Sequence, residues 1–241
     1  MKSVGKKILR GALFIVIIAV IIVAVYLGKY YHTQVDIDSL GNSKVSISKE
    51  DYGYFIDGPG TESALIFYPG AKVDEKAYGP LMSQIADGGV DCFLVKMPVH
   101  MAILDMDKAE DIMDEYNYDN WYLSGHSQGG AAAAIYVAQN PDNIDGLILL
   151  AAYPTKEISD DISMISIYGD RDKVVQMDRY DSNKSNWPAQ SREVIIPGGN
   201  HAGYANYGEQ AGDGEAQITN DEQQSITAQT ILDFVKSSNA E

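Results

Sequence analysis

One cysteine in 241 residues leaves this chain no disulfide framework, no multi-cysteine zinc site and no iron–sulfur cluster. Basic residues are scarce as well: 18 Lys and Arg stand against 34 Asp and Glu, for a net charge of −16. Affinity for nucleic-acid backbones rests on cations that neutralise phosphates, so a nucleic-acid partner is excluded. There is no G-x-x-x-x-G-K-[ST] phosphate loop, no H-E-x-x-H pair and no dinucleotide fingerprint ahead of a helix, and no metal or organic cofactor is implied. Internal repeats and low-complexity tracts are lacking too. What remains, 45% hydrophobic and 22% charged, is the composition of a folded domain, at a length that suits one domain and an accessory segment.

The few cations are unevenly placed. Lys2, Lys6, Lys7 and Arg10 sit in the first 28 residues without one acid, so the rest of the chain is more acidic than the whole. Residues 11–28 read GALFIVIIAVIIVAVYLG, free of charged and strongly polar side chains. With Ile8 and Leu9 the run approaches the roughly 20 residues a helix needs to cross a bilayer, and Tyr26, Tyr30 and Tyr31 stand where an interfacial belt would form. The sequence therefore predicts a basic cytoplasmic segment over 1–10, a transmembrane signal anchor over 11–28 with membrane contact through 8–28, and a juxtamembrane linker with a first edge strand over 29–50. The positive-inside rule puts the N-terminus in the cytoplasm and the body outside the cell membrane. A removed secretion signal is the rival reading. It is disfavoured by the length of the run and by Tyr-Leu-Gly-Lys-Tyr-Tyr where a small-residue cleavage site would stand.

The body, residues 51–241, alternates short apolar runs with longer amphipathic stretches. Strands are expected over 52–56, 64–68, 92–96, 121–123, 146–151, 163–168 and 193–196, and helices over 75–87, 107–116, 128–139 and 221–236. Continuous apolar runs suit strands buried on both faces, and the alternation predicts a mostly parallel α/β sheet with helices on both faces. In such sheets the chemistry lies beyond the carboxyl ends of the strands.

There, after the run at 121–123, stands Ser124-Gly125-His126-Ser127-Gln128-Gly129-Gly130, with an Ala-rich helix following at once. G-x-S-x-G between a strand and a helix puts a serine on a sharp turn with its hydroxyl above the sheet. The helix N-terminus offers free N–H groups to a developing oxyanion. Serine needs a base, and the chain has four histidines. His32 adjoins the apolar run, His126 lies inside the turn with its side chain expected to point away from the serine, and His100 could be a turn residue. His201, in Pro197-Gly198-Gly199-Asn200-His201-Ala202-Gly203 after an apolar strand, is the best candidate. The orienting acid should lie between serine and histidine, in Gly169-Asp170-Arg171-Asp172. Asp172 is preferred and Asp170 is the alternative.

Gly-His-Ser-Gln-Gly, Gly-Asp-Arg-Asp-Lys-Val-Val and Gly-Gly-Asn-His, in that order, resemble the α/β-hydrolase superfamily over roughly residues 52–236. The resemblance implies an α/β-hydrolase fold with catalytic Ser127, Asp172 and His201. In Tyr68-Pro69-Gly70-Ala71 it implies an oxyanion segment, with the backbone amides of Ala71 and Gln128 as donors. Only residues 152–162 separate two strands where larger members insert a cap, so no cap domain is expected. More narrowly the body looks like the small bacterial dienelactone hydrolase (carboxymethylenebutenolidase) group. Those enzymes use a cysteine where this chain has Ser127, which argues against dienelactone as substrate. Cys92, inside an apolar run, reads as a small buried hydrophobe. The implied function is a membrane-anchored serine esterase acting on a small-molecule ester or acyl substrate. Peptidase, thioesterase, acyltransferase and a non-catalytic binding protein on the same scaffold stay open. Tyr68, Tyr153 and Tyr204 are read as packing residues or pocket walls, Met97 and Met101 as packing. The segment 204–219 is either a flap or a solvated acidic loop.

Overall fold

The structure, a computed structural model, describes the backbone of residues 2–239 and the side chains of residues 11–239. It falls into two compact units, one ending at Tyr30 and the other running from Tyr31 onward. The first is helix α1 (Lys2–Leu27). Its large apolar side chains stand in the open, with Phe14 64% and Ile15 68% exposed. Among the described residues no helix is long and apolar enough to cross a membrane. The basic segment expected over 1–10, and the start of the span expected at residue 8, lie outside the described side chains.

The second unit is built on an eight-stranded sheet in the order β1-β2-β4-β3-β5-β6-β7-β8. The strands are β1 (Ser46–Glu50), β2 (Gly53–Asp57), β3 (Ser63–Tyr68), β4 (Asp91–Val95), β5 (Asn120–His126), β6 (Gly146–Leu150), β7 (Ser163–Gly169) and β8 (Ser191–Ile196). β1 and β2 pair antiparallel with each other and β2 with β4, while every pairing from β4 to β8 is parallel. Five helices accompany it: α2 (Gly79–Asp87), α3 (Lys108–Glu115), α4 (Gln128–Gln139), α5 (Met177–Ser182) and α6 (Asn220–Ser238).

The two faces can be read from the strands. On β3, Leu65 and Phe67 join one core with Leu81, Ile85, Ile231 and Phe234 of α2 and α6. Ala64, Ile66 and Tyr68 join the other with Ile112, Ala133 and Val137 of α3 and α4. Period-two alternation thus serves two cores, which is why the central strands are apolar throughout. β8 closes the edge with exposed Arg192 and Glu193 and so offers neighbours a charged rim.

The expected elements form with shifted ends. The strand expected over 121–123 runs on to His126, because Ser124, Gly125 and His126 pair with Ile148, Leu149 and Leu150 of β6. The helix expected over 75–87 is split: a 3-10 turn over Glu75–Tyr78 precedes α2, since Pro80 lacks the N–H needed to continue a helix through it and suits a first turn. α6 opens with a capping box, Thr219 and Glu222 bonding each other's backbone, a device worth about 1 kcal/mol. α5 has no counterpart among the expected helices: it is short, and only Tyr180 of it is buried. No cap domain interrupts β6 and β7.

Candidate active site

Ser127 sits between β5 and α4 with φ 53° and ψ −121°, a backbone state that costs a non-glycine residue about 1–3 kcal/mol. The neighbouring glycines explain how the strain is held. A Cβ on Gly125 would lie 2.4 Å from the Gly129 carbonyl carbon, and one on Gly129 would lie 2.1 Å from the Tyr68 carbonyl oxygen. Only glycine at both places lets strand, helix and the end of β3 close on the serine. Ala132, Ala133 and Ala134, all buried, then seat α4 tightly on the sheet. The Ser127 amide donates to Leu150 O at 2.9 Å, so β6 pins the turn from the other side.

His201 and Asp172, 29 residues apart, meet with Nδ1 and Oδ2 2.7 Å from each other. Both side chains are almost wholly buried, at 2% and 0% exposure. The second Asp172 oxygen accepts from the amides of Val174 and Val175 at 2.8 and 2.9 Å. The carboxylate is therefore locked in place and its remaining acceptor faces the imidazole. Asp170 has a different job: its Oδ1 accepts from Gly198 N at 2.7 Å and so ties the histidine loop to the end of β7. Of the two candidate acids, the one that touches His201 is Asp172.

Ser127, Gln128 and His201 line one cleft of about 210 Å³, whose other walls include Ala131, Ala152, Tyr153 and Val175, with no Lys, Arg, Asp or Glu. Larger hollows exist. One of about 570 Å³ lies among Asn200, Glu209, Asp213 and Glu215 and holds no nucleophile. Among the described residues, the amides of Ala71 and Gln128 donate to no backbone carbonyl outside the helices and strands. The loop just after Ala71 is held from several directions. Lys72, at φ 60°, gives its amide to His100 O at 2.7 Å and receives the Tyr31 amide at 2.6 Å, while Asp74 N returns to Tyr31 O at 2.9 Å.

The segment 204–219, read as a flap or a solvated acidic loop, is bonded to the histidine loop. Asp213 Oδ2 accepts from Ala202 N at 2.9 Å, Asn200 Nδ2 donates to Gly214 O at 2.8 Å, and Tyr207 is buried. Tyr68 and Tyr204 are core residues: the hydroxyls bond Met106 O and Ile167 O. Tyr153 alone of the three tyrosines walls the cleft. Met97 packs in a core, and Cys92 is buried and free. No group of three or more metal-binding side chains gathers among the described residues.

Two residues, Tyr78 and His126, have contacts that sequence reasoning did not foresee. His126, expected to point away from the serine, is buried with its ring 4.5 Å from that of His201 and 5.3 Å from that of Tyr204. Its Nδ1 lies 2.8 Å from the Tyr78 hydroxyl, which in turn accepts from Gly70 N at 3.0 Å. Burial, and the charge His201 would carry beside it, hold His126 well below the usual histidine range, partly offset by the His201 carbonyl. The 48 residues between Tyr78 and His126 leave no local pattern by which to see the pair.

A strained serine at a strand–helix turn, a buried Asp–His pair and a shared cleft on a parallel sheet define the α/β hydrolases. The α/β hydrolase family pattern matches residues 64–225, and the chain belongs to that family. It has the family's esterase-like fold. A protein of Mycobacterium phage D29 named for non-heme haloperoxidase activity is 25% identical over 115 residues, 44% of this chain and 41% of that relative. The chain thus matches less than half the length of this relative. Among solved structures, Est1E from Butyrivibrio proteoclasticus superposes with a TM-score of 0.58 at 14% identity, over 83% of this chain and 100% of its own. The carboxylesterase CesB from Bacillus subtilis gives 0.57 at 12%, over 83% and 94%. The dienelactone hydrolase from Anabaena variabilis gives 0.56 at 14%, over 82% and 97%. At these identities the likeness is one of fold.

Proposed function

We propose that this protein is a serine hydrolase that cleaves small carboxylic esters through an acyl-enzyme on Ser127. The observation that carries the reading is the 2.7 Å contact between His201 Nδ1 and Asp172, made by a histidine that shares its cleft with Ser127. With Nδ1–H donated to Asp172, the other ring nitrogen is left without its proton and free to take that of the Ser127 hydroxyl. Serine attacks the ester carbonyl, the carbonyl oxygen becomes an oxyanion between the amides of Ala71 and Gln128, and His201 returns the proton to the departing alkoxide. Water, deprotonated by the same imidazole, then releases the acid and restores the serine. A cleft of 210 Å³ is smaller than the ~300–1,000 Å³ of common ligand pockets. Its uncharged, largely alanine and valine walls favour a short, neutral acyl group.

The expected result is turnover of p-nitrophenyl acetate and butyrate by the wild type, falling steeply with longer chains. Ser127→Ala should abolish it, and equal rates in the two proteins would end the proposal.

The protein would also be held at the cell membrane, N-terminus cytoplasmic and hydrolase unit outside. The support is the uncharged run 11–28 and the exposed Phe14, Ile15, Val20 and Ile22 of α1, an apolar surface of a kind that water disfavours and lipid would cover. The full chain should float with liposomes while residues 29–241 stay in the soluble fraction; co-fractionation of both with the soluble fraction would exclude anchoring.

A further inference from the structure

Beneath the site runs a buried hydrogen-bond chain to which the proposed mechanism gives no part. Gly70 N–H donates to the Tyr78 hydroxyl at 3.0 Å, and that hydroxyl lies 2.8 Å from His126 Nδ1. Tyr78 is fully buried and His126 is 1% exposed, so neither is open to bulk solvent. The proton positions follow from a count. An amide can only donate, so the Tyr78 oxygen accepts from Gly70. If His126 Nδ1 also donated to it, the hydroxyl hydrogen would have no acceptor, and Nε2, which makes no hydrogen bond, would be a bare acceptor. Two polar groups would then be orphaned. If Tyr78 donates to Nδ1, only the Nε2–H is left short, facing the His201 main chain. Buried polar groups seek partners, so the second arrangement holds. His126 is then a neutral imidazole protonated at Nε2.

This chain joins three parts of the site. Gly70 immediately precedes Ala71, His126 immediately precedes Ser127, and the His126 ring lies 4.5 Å from the ring of His201. The fit leaves no slack: a Cβ on Gly70 would stand 2.9 Å from both His126 Nδ1 and the Tyr78 oxygen. A glycine is required where the loop meets the pair, and the loop cannot shift toward the elbow without breaking the contact.

We propose that Tyr78 and His126 are positioning residues that set the turn at residues 70–71 against the serine elbow, holding the Ala71 amide where the oxyanion forms. The inference rests on the ester-hydrolase reading given above. The pair touches no substrate; it acts through the backbone of Gly70. Oxyanion donors work because they are aimed before the charge develops, so a loosened donor costs rate in the transition state and little in substrate binding.

The test uses the full-length protein and compares Tyr78→Phe, His126→Asn and His126→Leu. Asn places an amide oxygen near the position of Nδ1 and can accept from Tyr78, whereas Leu cannot. Tyr78→Phe and His126→Leu should lower kcat about tenfold, with KM within about twofold. Affinity for a trifluoromethyl ketone, whose adduct mimics the oxyanion, should fall by the same factor. His126→Asn should recover most of kcat and of that affinity. Loss of thermal stability in Tyr78→Phe with kcat and ketone affinity intact would reduce the chain to a packing feature and overturn the proposal. Equal behaviour of His126→Asn and His126→Leu would overturn it too, and this comparison stands even if Tyr78→Phe fails to fold. The two readings fail differently: Ser127-independent turnover sinks ester hydrolysis, while Ser127-dependent turnover at full rate in Tyr78→Phe sinks only the positioning role.

Discussion

The two sides of the cleft are held by different means. On the serine side, Ser127, Asp172 and His201 stand at or just beyond the carboxyl ends of parallel strands, and their supports come from nearby in the chain or from adjacent strands. Asp172 is locked by the amides two and three residues on, and the serine turn by its own glycines and by β6. On the other side, residues 70–72 are held by Tyr78, eight residues along the chain, and by groups from farther away: Tyr31, His100 and His126. The first side is a property of sheet order and local turns, the second of tertiary packing. On the proposed mechanism, the serine side should therefore fail abruptly when a reacting group is removed, and the side at 70–72 by degrees as its props are taken away.

The largest effect should come from the acid. Asp172→Asn is expected to lower kcat about 10⁴-fold with the fold intact, because the amide favours the wrong imidazole tautomer. A loss below about tenfold would move the orienting role elsewhere. Asp170→Asn is the matched control: it weakens the hold on Gly198, and we expect less than about tenfold in kcat together with a lower melting temperature. If Asp170→Asn were the more damaging to rate, the assignment of the two aspartates would reverse.

The next effect probes the distant props. Residues 29–241 keep Tyr31 and its bonds to Lys72 and Asp74; residues 41–241 lose them along with buried Ile37. The shorter protein should lose about tenfold in kcat and roughly 1.5–3 kcal/mol of stability from the lost side chain. Equal activity in the two truncations would show that the loop holds itself.

The smallest effect is a slope. His126 is held below the ordinary histidine range by burial, so below pH ~6.5 the unfolded chain binds a proton that the folded one resists. Its contribution to stability is intact above that pH and is lost as pH falls toward the folded value. His100, also lowered by burial, adds in the same sense. Melting temperature should thus decline from pH 6.5 to 5.5, and His126→Asn should flatten the decline in part. An unchanged slope would mean that His126 is not held neutral.

Much of this architecture was legible beforehand, and for identifiable reasons. The strand–helix–strand rhythm shows in apolar runs because central strands bury both faces. Ser127 could be located because its turn demands glycines at fixed offsets, and His201 and Asp172 because chain order limits the choice. Asp170 and Asp172 are two residues apart in one turn, and only the finished backbone says which carboxylate faces the imidazole. The loop at 204–219 reads as either a flap or a solvated acidic loop because its polar composition names no partner; only the structure shows Asp213 and Gly214 bonded to the histidine loop and Tyr207 in the core.

By itself, then, the order of residues determined the sheet, the sharp turn that carries Ser127 and the family to which the chain belongs, because each of these rests on periodicity and short-range sterics. Tertiary structure alone decided which aspartate meets His201, that His126 lies beside it, and that Tyr31 and Tyr78 reach the loop at 70–72. Those contacts join residues from eight to some tens of positions apart at no fixed offset, and such a contact leaves no mark on local spacing; it exists only once the cores on both faces of the sheet have closed.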